Sequence, residues 1–521
     1  MPSLSTTPAL LAGVLSCLFI LPLARADDAP LEVTIPEGPL VAANPLGNGY
    51  NVAFFERGMC DALNDPAAGA DLTAALQGIR ATSLRFPGGS FTYWYPHERQ
   101  GLAALKRAGF AEASYNLWWP DKYGWASEEA FFTFCRTAGL TAWFEINPAY
   151  LYDGEAGCIG QFAPLPRSGA KLDVKLDPAK YLPLALARAR SRAQWCRDNC
   201  VSVVWELGNE DYCYFEPEGY AQLAAQFMAA IREVDPTARF ALCGDSESWS
   251  TRDWQTRMVQ ALREAGVTHL DFTSVHCYLT GVGEVDAAGA WHPLPRDTPA
   301  DFLSSTVRAW QLLRGMYLTD YRRILDDAGF RDTRFAFTEF NPIHSDHLHS
   351  DAAKALEHCM GRALGEATIY PFLIDDAGAI FSHDLVRSGP GTGTYFRRLE
   401  YDPKASPKYT LPLEARVMGL VALHAQGQGL YKDWAGVCIS AQPWGVYVTV
   451  VNGGSDPREV PVQITGGQPI ARTTLETVTA PTLGSVDFDC EYKAAPGPRV
   501  VEGKLDVVAP PTGVTAVKLA Y

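Results

Sequence analysis

The chain has 521 residues, 47% of them hydrophobic and 20% charged, the profile of a folded protein and not of a disordered one. That length exceeds one ordinary domain and points to two or three. A net charge of −15 repels phosphate backbones and anionic lipid, which argues against nucleic acid and membrane surfaces as partners.

In chain order, the first feature is an apolar run over residues 9–24, broken by Pro22 and too short for a membrane span. Small residues surround Arg25, and Asp27-Asp28 opens a polar segment. This predicts a signal peptide over residues 1–26, although its start lacks Lys and Arg, and hence a secreted or periplasmic protein. Export permits disulfides. Loss of Cys17 with the leader leaves eleven of the 12 cysteines, an odd number, so at least one thiol stays outside any intrachain pairing. Cys158, Cys196, Cys200 and Cys213 cluster in sequence as disulfide candidates, and Cys438 and Cys490 form a second candidate pair. Cys135, Cys243, Cys277 and Cys359 sit in apolar runs and read as core thiols. No pair of CxxC motifs suggests a structural zinc.

Residues 27–49 contain the alternating Leu31-Glu-Val-Thr-Ile35, a strand expected to join a β-domain further along. Over residues 50–410, strand-like runs alternate with amphipathic helical patterns. The predicted strands are Asn51–Phe55, Ser83–Phe86, Leu140–Ile146, Val201–Leu207, Arg239–Cys243, Phe272–Tyr278, Arg334–Phe340 and Tyr370–Ile374. Tyr220, Leu223, Phe227 and Ile231 share one helical face, and Ser127 is placed to cap a helix carrying Glu128 and Glu129 in its first turn. Eight β-then-α units predict a (β/α)8 TIM barrel; a doubly wound sheet is the alternative, but no GxGxxG turn opens a helix here. Residues 411–521 change texture, with Gln426-Gly-Gln-Gly-Leu430 breaking a helix and alternating strands following, which predicts a C-terminal all-β sandwich.

A TIM barrel does its chemistry at the C-terminal ends of its strands. The fourth predicted strand ends Trp205-Glu-Leu-Gly-Asn-Glu210 and the seventh ends Thr338-Glu-Phe-Asn341, each placing a carboxylate where a strand meets a loop. Two facing carboxyls suit a retaining glycosidase, one protonating the leaving oxygen and the other attacking the sugar carbon. Together with Arg85-Phe-Pro-Gly-Gly89, Tyr123-Gly124 and Phe144-Glu-Ile-Asn147, these motifs resemble clan A glycoside hydrolases, most nearly the family 51 α-L-arabinofuranosidases, with families 39 and 79 nearby. The resemblance implies Glu210 as acid/base and Glu339 as nucleophile, with Asn209 on the sugar 2-hydroxyl, Arg85 supporting the nucleophile, and His276 and Tyr278 lining the sugar subsite. Glu206, mid-strand, reads as a buried partner of Arg85. Asn147 either lines the site or fixes a loop.

Physical chemistry adds two expectations. A guanidinium near Glu339 favours its ionised form, and the charge of Glu339 raises the pKa of Glu210, so activity should fall above neutral pH. Aromatics make up 11% of the chain, and Trp94, Trp118, Trp119 and Trp125 crowd the loop after the second strand, where a ring such as Trp118 can stack on a sugar. His344, His347 and His349 follow the seventh strand with a spacing that fits no zinc template, so neither metal nor other cofactor is expected. Asp375-Asp376 either binds a sugar hydroxyl or caps a turn.

The expected function is hydrolysis of an oligo- or polysaccharide by a two-glutamate double displacement. Departures from the family pattern, Asp211-Tyr212 after Asn-Glu and Phe340 after Thr-Glu, leave the sugar open. A β-xylosidase, a β-glucuronidase, an endo-glycanase and a non-catalytic carbohydrate-binding protein on the same barrel are the alternatives, and the histidine cluster alone suggests a metal-dependent hydrolase.

Overall fold

The computed structural model describes residues 29–54, 56–89, 92, 95, 125–148, 150–151, 159–161, 178–213, 215–246, 252–286, 288, 290–341, 359–382, 385–387, 399–486 and 489–521. Residues 1–26, expected to form a signal peptide, and Trp94, Trp118, Trp119, Cys158 and the histidines at 344, 347 and 349 lie outside these residues.

Eight parallel strands close a barrel, in chain order Gly49–Asn51, Ser83–Phe86, Thr141–Ile146, Val203–Leu207, Arg239–Ser246, Phe272–Tyr278, Arg334–Asn341 and Ala379–Ser382. Each strand pairs with its sequence neighbour, and the eighth closes on the first through Phe381 beside Gly49 and Ser382 beside Tyr50. Strands of such a barrel are covered on both sides, and the sixth strand is buried at every position, its Thr273, Ser274 and His276 included. The helices behave as the local chemistry dictates. Ser127 accepts from the Ala130 amide (3.1 Å) and caps Glu128–Ala138. Helix Pro217–Arg232 buries Tyr220, Leu223, Phe227 and Ile231 along one stripe.

Two strand expectations are corrected. The first strand is Gly49–Asn51, earlier than expected, because Asn51 is already the last residue in register with the second strand, opposite Arg85. The expected eighth strand, Tyr370–Ile374, is part of the helix Met360–Asp376, and the true eighth strand follows it at Ala379–Ser382. That helix buries every residue from Met360 to Ile374, because it is sandwiched between the barrel and the β-domain. A helix buried on all sides has no apolar stripe to distinguish it from a buried strand.

The β-domain consists of two sheets. One has six strands in the order Gln428–Lys432, Val437–Gln442, Gly445–Asn452, Gly513–Ala520, Arg472–Thr479 and Glu491–Pro496; the other has Leu31–Thr34, Arg458–Thr465 and Lys504–Ala509. The N-terminal strand pairs in parallel with the second of these, Leu31 opposite Val462, and buries Leu31 and Val33 in the core between the sheets. The helix Leu413–Val421 precedes the domain and packs against the buried barrel helix.

Of the disulfide candidates, Cys196, Cys200 and Cys438 carry free thiols. The Cys438–Cys490 pair does not form: Cys438 is buried in its strand, and the Cys490 thiol donates to the Val486 carbonyl (3.4 Å). Asp375 and Asp376 end the buried helix, below the eighth strand instead of above it. Asp375 pairs with Lys432 and Asp376 takes a fork from Arg314 (2.5 and 3.0 Å), so both are tethers.

Candidate active site

The barrel interior is organised around Arg85, fully buried on the second strand. Its guanidinium donates to Glu206 on the fourth strand (2.5 and 3.1 Å), to the Asn51 side chain (2.9 Å) and to Asn209 Oδ1 (2.9 Å), and contacts Glu145 Oε1 (2.6 Å) and Glu339 Oε1 (3.4 Å). One cation thus faces three buried carboxylates. Those charges outweigh the cost of burial and hold the guanidinium protonated well beyond its ordinary range. Glu206 also accepts from Trp143 Nε1 (2.7 Å) and Ser274 Oγ (2.5 Å), which makes it the fixed base of the network.

Glu339 ends the seventh strand, and a register shift between Phe337 and Glu339 swings it beside His276 of the sixth. Tyr278 Oη donates to Glu339 Oε2 (2.5 Å), and His276 Nδ1 lies 3.4 Å from the same oxygen. On its other side stands Gly89, in a left-handed conformation (φ 55°), where a Cβ would come within 2.6 Å of Glu339 Oε1. Only glycine lets the backbone approach the carboxylate this closely.

Glu210 follows the fourth strand with φ at 52°, a strained conformation for a non-glycine residue and of the kind that concentrates at functional sites. It accepts from Tyr212 Oη (3.0 Å) and from His276 Nδ1 (3.2 Å). The side chain is 25% exposed, more open than Glu339 at 8%. One ring nitrogen therefore spans both carboxylates, and their facing oxygens are at most about 6.6 Å apart.

The electrostatics differ from expectation at Glu210. Burial and the nearby Glu339 do push its pKa up, but the His276 hydrogen bond and charge outweigh them and hold it below the ordinary carboxylate value. Burial would lower His276, yet the charges of Glu339 and Glu210 hold it above its ordinary 6.5. The proton expected on Glu210 is thus held by the imidazole between the two acids.

The structure brings Arg85, Asn209, Glu210, His276, Tyr278 and Glu339 into one network. Asn147 lies to one side, its amide donating to the Thr92 carbonyl (3.4 Å) and tying the loop after the third strand to the loop after the second. Trp125, from the tryptophan cluster, stacks against buried Tyr95 (6.4 Å) and packs the loop. Sequence reading missed Glu145, whose Oε2 accepts from the Gly88 and Gly89 amides (2.8 and 3.1 Å) and so holds the loop that touches Glu339. Burial pushes its carboxyl up to about 8 against the pull of Arg85. The available signal was an acid in an otherwise apolar strand, in register with Glu206.

No protein-family model matches the chain. A stretch of 212 residues is 21% identical to the intracellular exo-α-(1→5)-L-arabinofuranosidase of Streptomyces lividans, covering 40% of this chain and 29% of that protein. The chain thus spans about a third of the length of the curated relatives it matches, since the corresponding Bacillus subtilis enzyme is covered over 38%. Among solved structures, the α-L-arabinofuranosidase of Thermotoga maritima superposes with a TM-score of 0.62 at 16% identity, over 94% of this chain and 99% of that one. A family 44 xyloglucanase of Paenibacillus polymyxa gives 0.56 at 10% identity, over 94% and 99%. The chain has the barrel-plus-β-domain fold of these clan A glycoside hydrolases, and it resembles their family 51.

Proposed function

We propose that the protein is a retaining glycoside hydrolase, with α-L-arabinofuranosides as the first substrates to test. The observation that carries this reading is the single imidazole nitrogen within reach of both Glu210 and Glu339, at the C-terminal ends of the fourth and seventh strands. A retaining pair needs its carboxyls about 5–5.5 Å apart, whereas an inverting pair leaves room for water at about 6.5–9.5 Å. The bound of about 6.6 Å favours the former. Glu339, held by donors from Tyr278, His276 and Arg85, is the nucleophile on the anomeric carbon. Glu210, the more open of the two, protonates the leaving oxygen and then takes a proton from the incoming water. His276, which holds the proton at rest, passes it to Glu210 along their hydrogen bond for the first step and takes it back after the second. The names of the relatives motivate arabinose as the sugar.

Two measurements test this. In a screen of aryl glycosides, the wild type cleaves one sugar and Glu339→Ala loses at least about 10³-fold in kcat; full activity in that variant would overturn the assignment. In carbon-13 NMR, the Glu210 carboxyl titrates below the ordinary value in wild type and above it in His276→Gln, because burial and Glu339 then act unopposed. Since the shared proton leaves as pH rises through the elevated His276 value, activity falls on the alkaline side of 6.5. Export is a separate proposal resting on the apolar leader alone; the Streptomyces and Bacillus proteins are named intracellular. Culture fractionation with and without residues 1–26 decides it.

A further inference from the structure

The sixth strand does not stop at the carboxylates. After Tyr278 the chain makes one short turn, Leu279–Gly281, and rises into a two-stranded hairpin, Gly283–Val285 against Trp291–Pro293. The hairpin base is anchored by buried Val282 and Leu294, and Arg296 donates to the Leu279 carbonyl (2.6 Å). Asp286 organises the tip, accepting from the Ala288 and Ala290 amides (2.9 and 2.8 Å) and meeting His292 Nε2 (2.8 Å).

The two faces of this hairpin differ. Glu284 and His292 share one face, and Glu284 is pinned to Arg308 (2.5 Å) on the helix Pro299–Gly315. The opposite face carries Val285 and Trp291 as a cross-strand pair, 38% and 56% exposed. The indole is seated by a glycine: a Cβ on Gly283 would come within 2.6 Å of Trp291 Cε2 and Nε1. The indole therefore packs against the Gly283 backbone while more than half of the residue stays exposed.

We infer that Trp291, seated on Gly283 and flanked by Val285, is a stacking platform for the sugar units on the leaving-group side of the scissile bond. The inference rests on the glycosidase reading above. Gly283 is five chain steps from Tyr278, a reach of at most about 18 Å, so the platform stands within the span of an oligosaccharide held at Glu210 and Glu339. The C–H face of a sugar ring packs on an aromatic face as other apolar groups do. A protein partner would need about 800 Å² of surface, and this face offers two apolar side chains on a strongly acidic chain.

The test compares wild type, Trp291→Ala and Trp291→Tyr on an aryl glycoside and on an oligosaccharide of at least four units. The ratio of kcat/KM on the oligosaccharide to that on the aryl glycoside falls about tenfold in Trp291→Ala and is largely kept in Trp291→Tyr. An unchanged ratio, or equal losses on both substrates, overturns the platform. If the wild type cleaves neither substrate, the glycosidase reading fails, and electrophoresis through gels containing arabinan, xylan or xyloglucan judges the platform alone. Retardation of wild type that Trp291→Ala loses then supports it; equal mobility of the two proteins in every gel overturns it.

Discussion

The barrel mouth and the seam under the β-domain both bury an arginine and a histidine, and they use them in opposite ways. At the mouth, Arg85 faces carboxylates from the third, fourth and seventh strands, and His276 bridges Glu210 and Glu339. At the seam, Arg362 bonds Glu414 (3.1 Å) and lies 3.9 Å from Glu366, while His424 sits between the hydroxyls of Ser440 and Thr449 (2.8 and 2.9 Å). Carboxylates hold His276 above its ordinary pKa; burial among neutral partners pushes His424 down to about 3. Burial alone does not make a proton donor of a histidine. The charge of what it touches does, and only the mouth supplies that charge.

The largest test of this contrast replaces each arginine. Arg85→Met and Arg362→Met should each cost about 3–5 kcal/mol, because each strands buried carboxylates. Only Arg85→Met should also abolish turnover in the protein that remains folded, and thermal melts beside kcat on that fraction separate the two outcomes. Comparable turnover losses in both would erase the distinction between mouth and seam.

Next in size is the acid response of His424. Its depressed pKa means that the unfolded chain takes a proton the native state refuses, so stability is intact above 6.5 and falls as pH drops toward 3. At pH 4.5 the loss is about 3 kcal/mol. Denaturant midpoints from pH 7 to 4.5 should show that loss in wild type and a flatter slope in His424→Gln. His276 tilts the other way: its ion pairs stabilise at low pH and are lost as pH rises through its elevated value.

The smallest effect concerns Glu145, whose raised carboxyl titrates near pH 8 beside Arg85. Glu145→Gln keeps an acceptor for Gly88 and Gly89 but removes that titration. We expect kcat to fall about tenfold, about 1.4 kcal/mol, and any inflection near pH 8 in kcat/KM to vanish. An inflection that survives the change belongs to another group.

Much of the mouth is legible before folding. Glu210 and Glu339 announce themselves as acids at strand ends, and Arg85, Asn209, His276 and Tyr278 follow from the motif around them. Glu145 does not, because its role is to accept two amides from a loop 56 and 57 residues away in sequence. Tyr212 appeared as a departure from a family pattern, and it proves to be a donor to Glu210. The seam is the least legible part. The helix Met360–Asp376 is buried on every side as far as Ile374, Arg362 and Glu366 included, and its neighbours, not its own pattern, decide that it is a helix.

The sequence by itself determined the alternation of strands and helices as far as the seventh barrel strand, the β-domain with its N-terminal strand, and which acids stand at the ends of the fourth and seventh strands. Periodicity and strand ends are local properties, and neighbouring residues carry them. Only the tertiary structure decided which buried histidine holds the proton, that Cys438 carries a free thiol, and that Trp291 packs against Gly283 and stays exposed. Each of these depends on what distant segments place within a few ångströms, and electrostatic and steric energies are set by that distance and by burial, not by order along the chain.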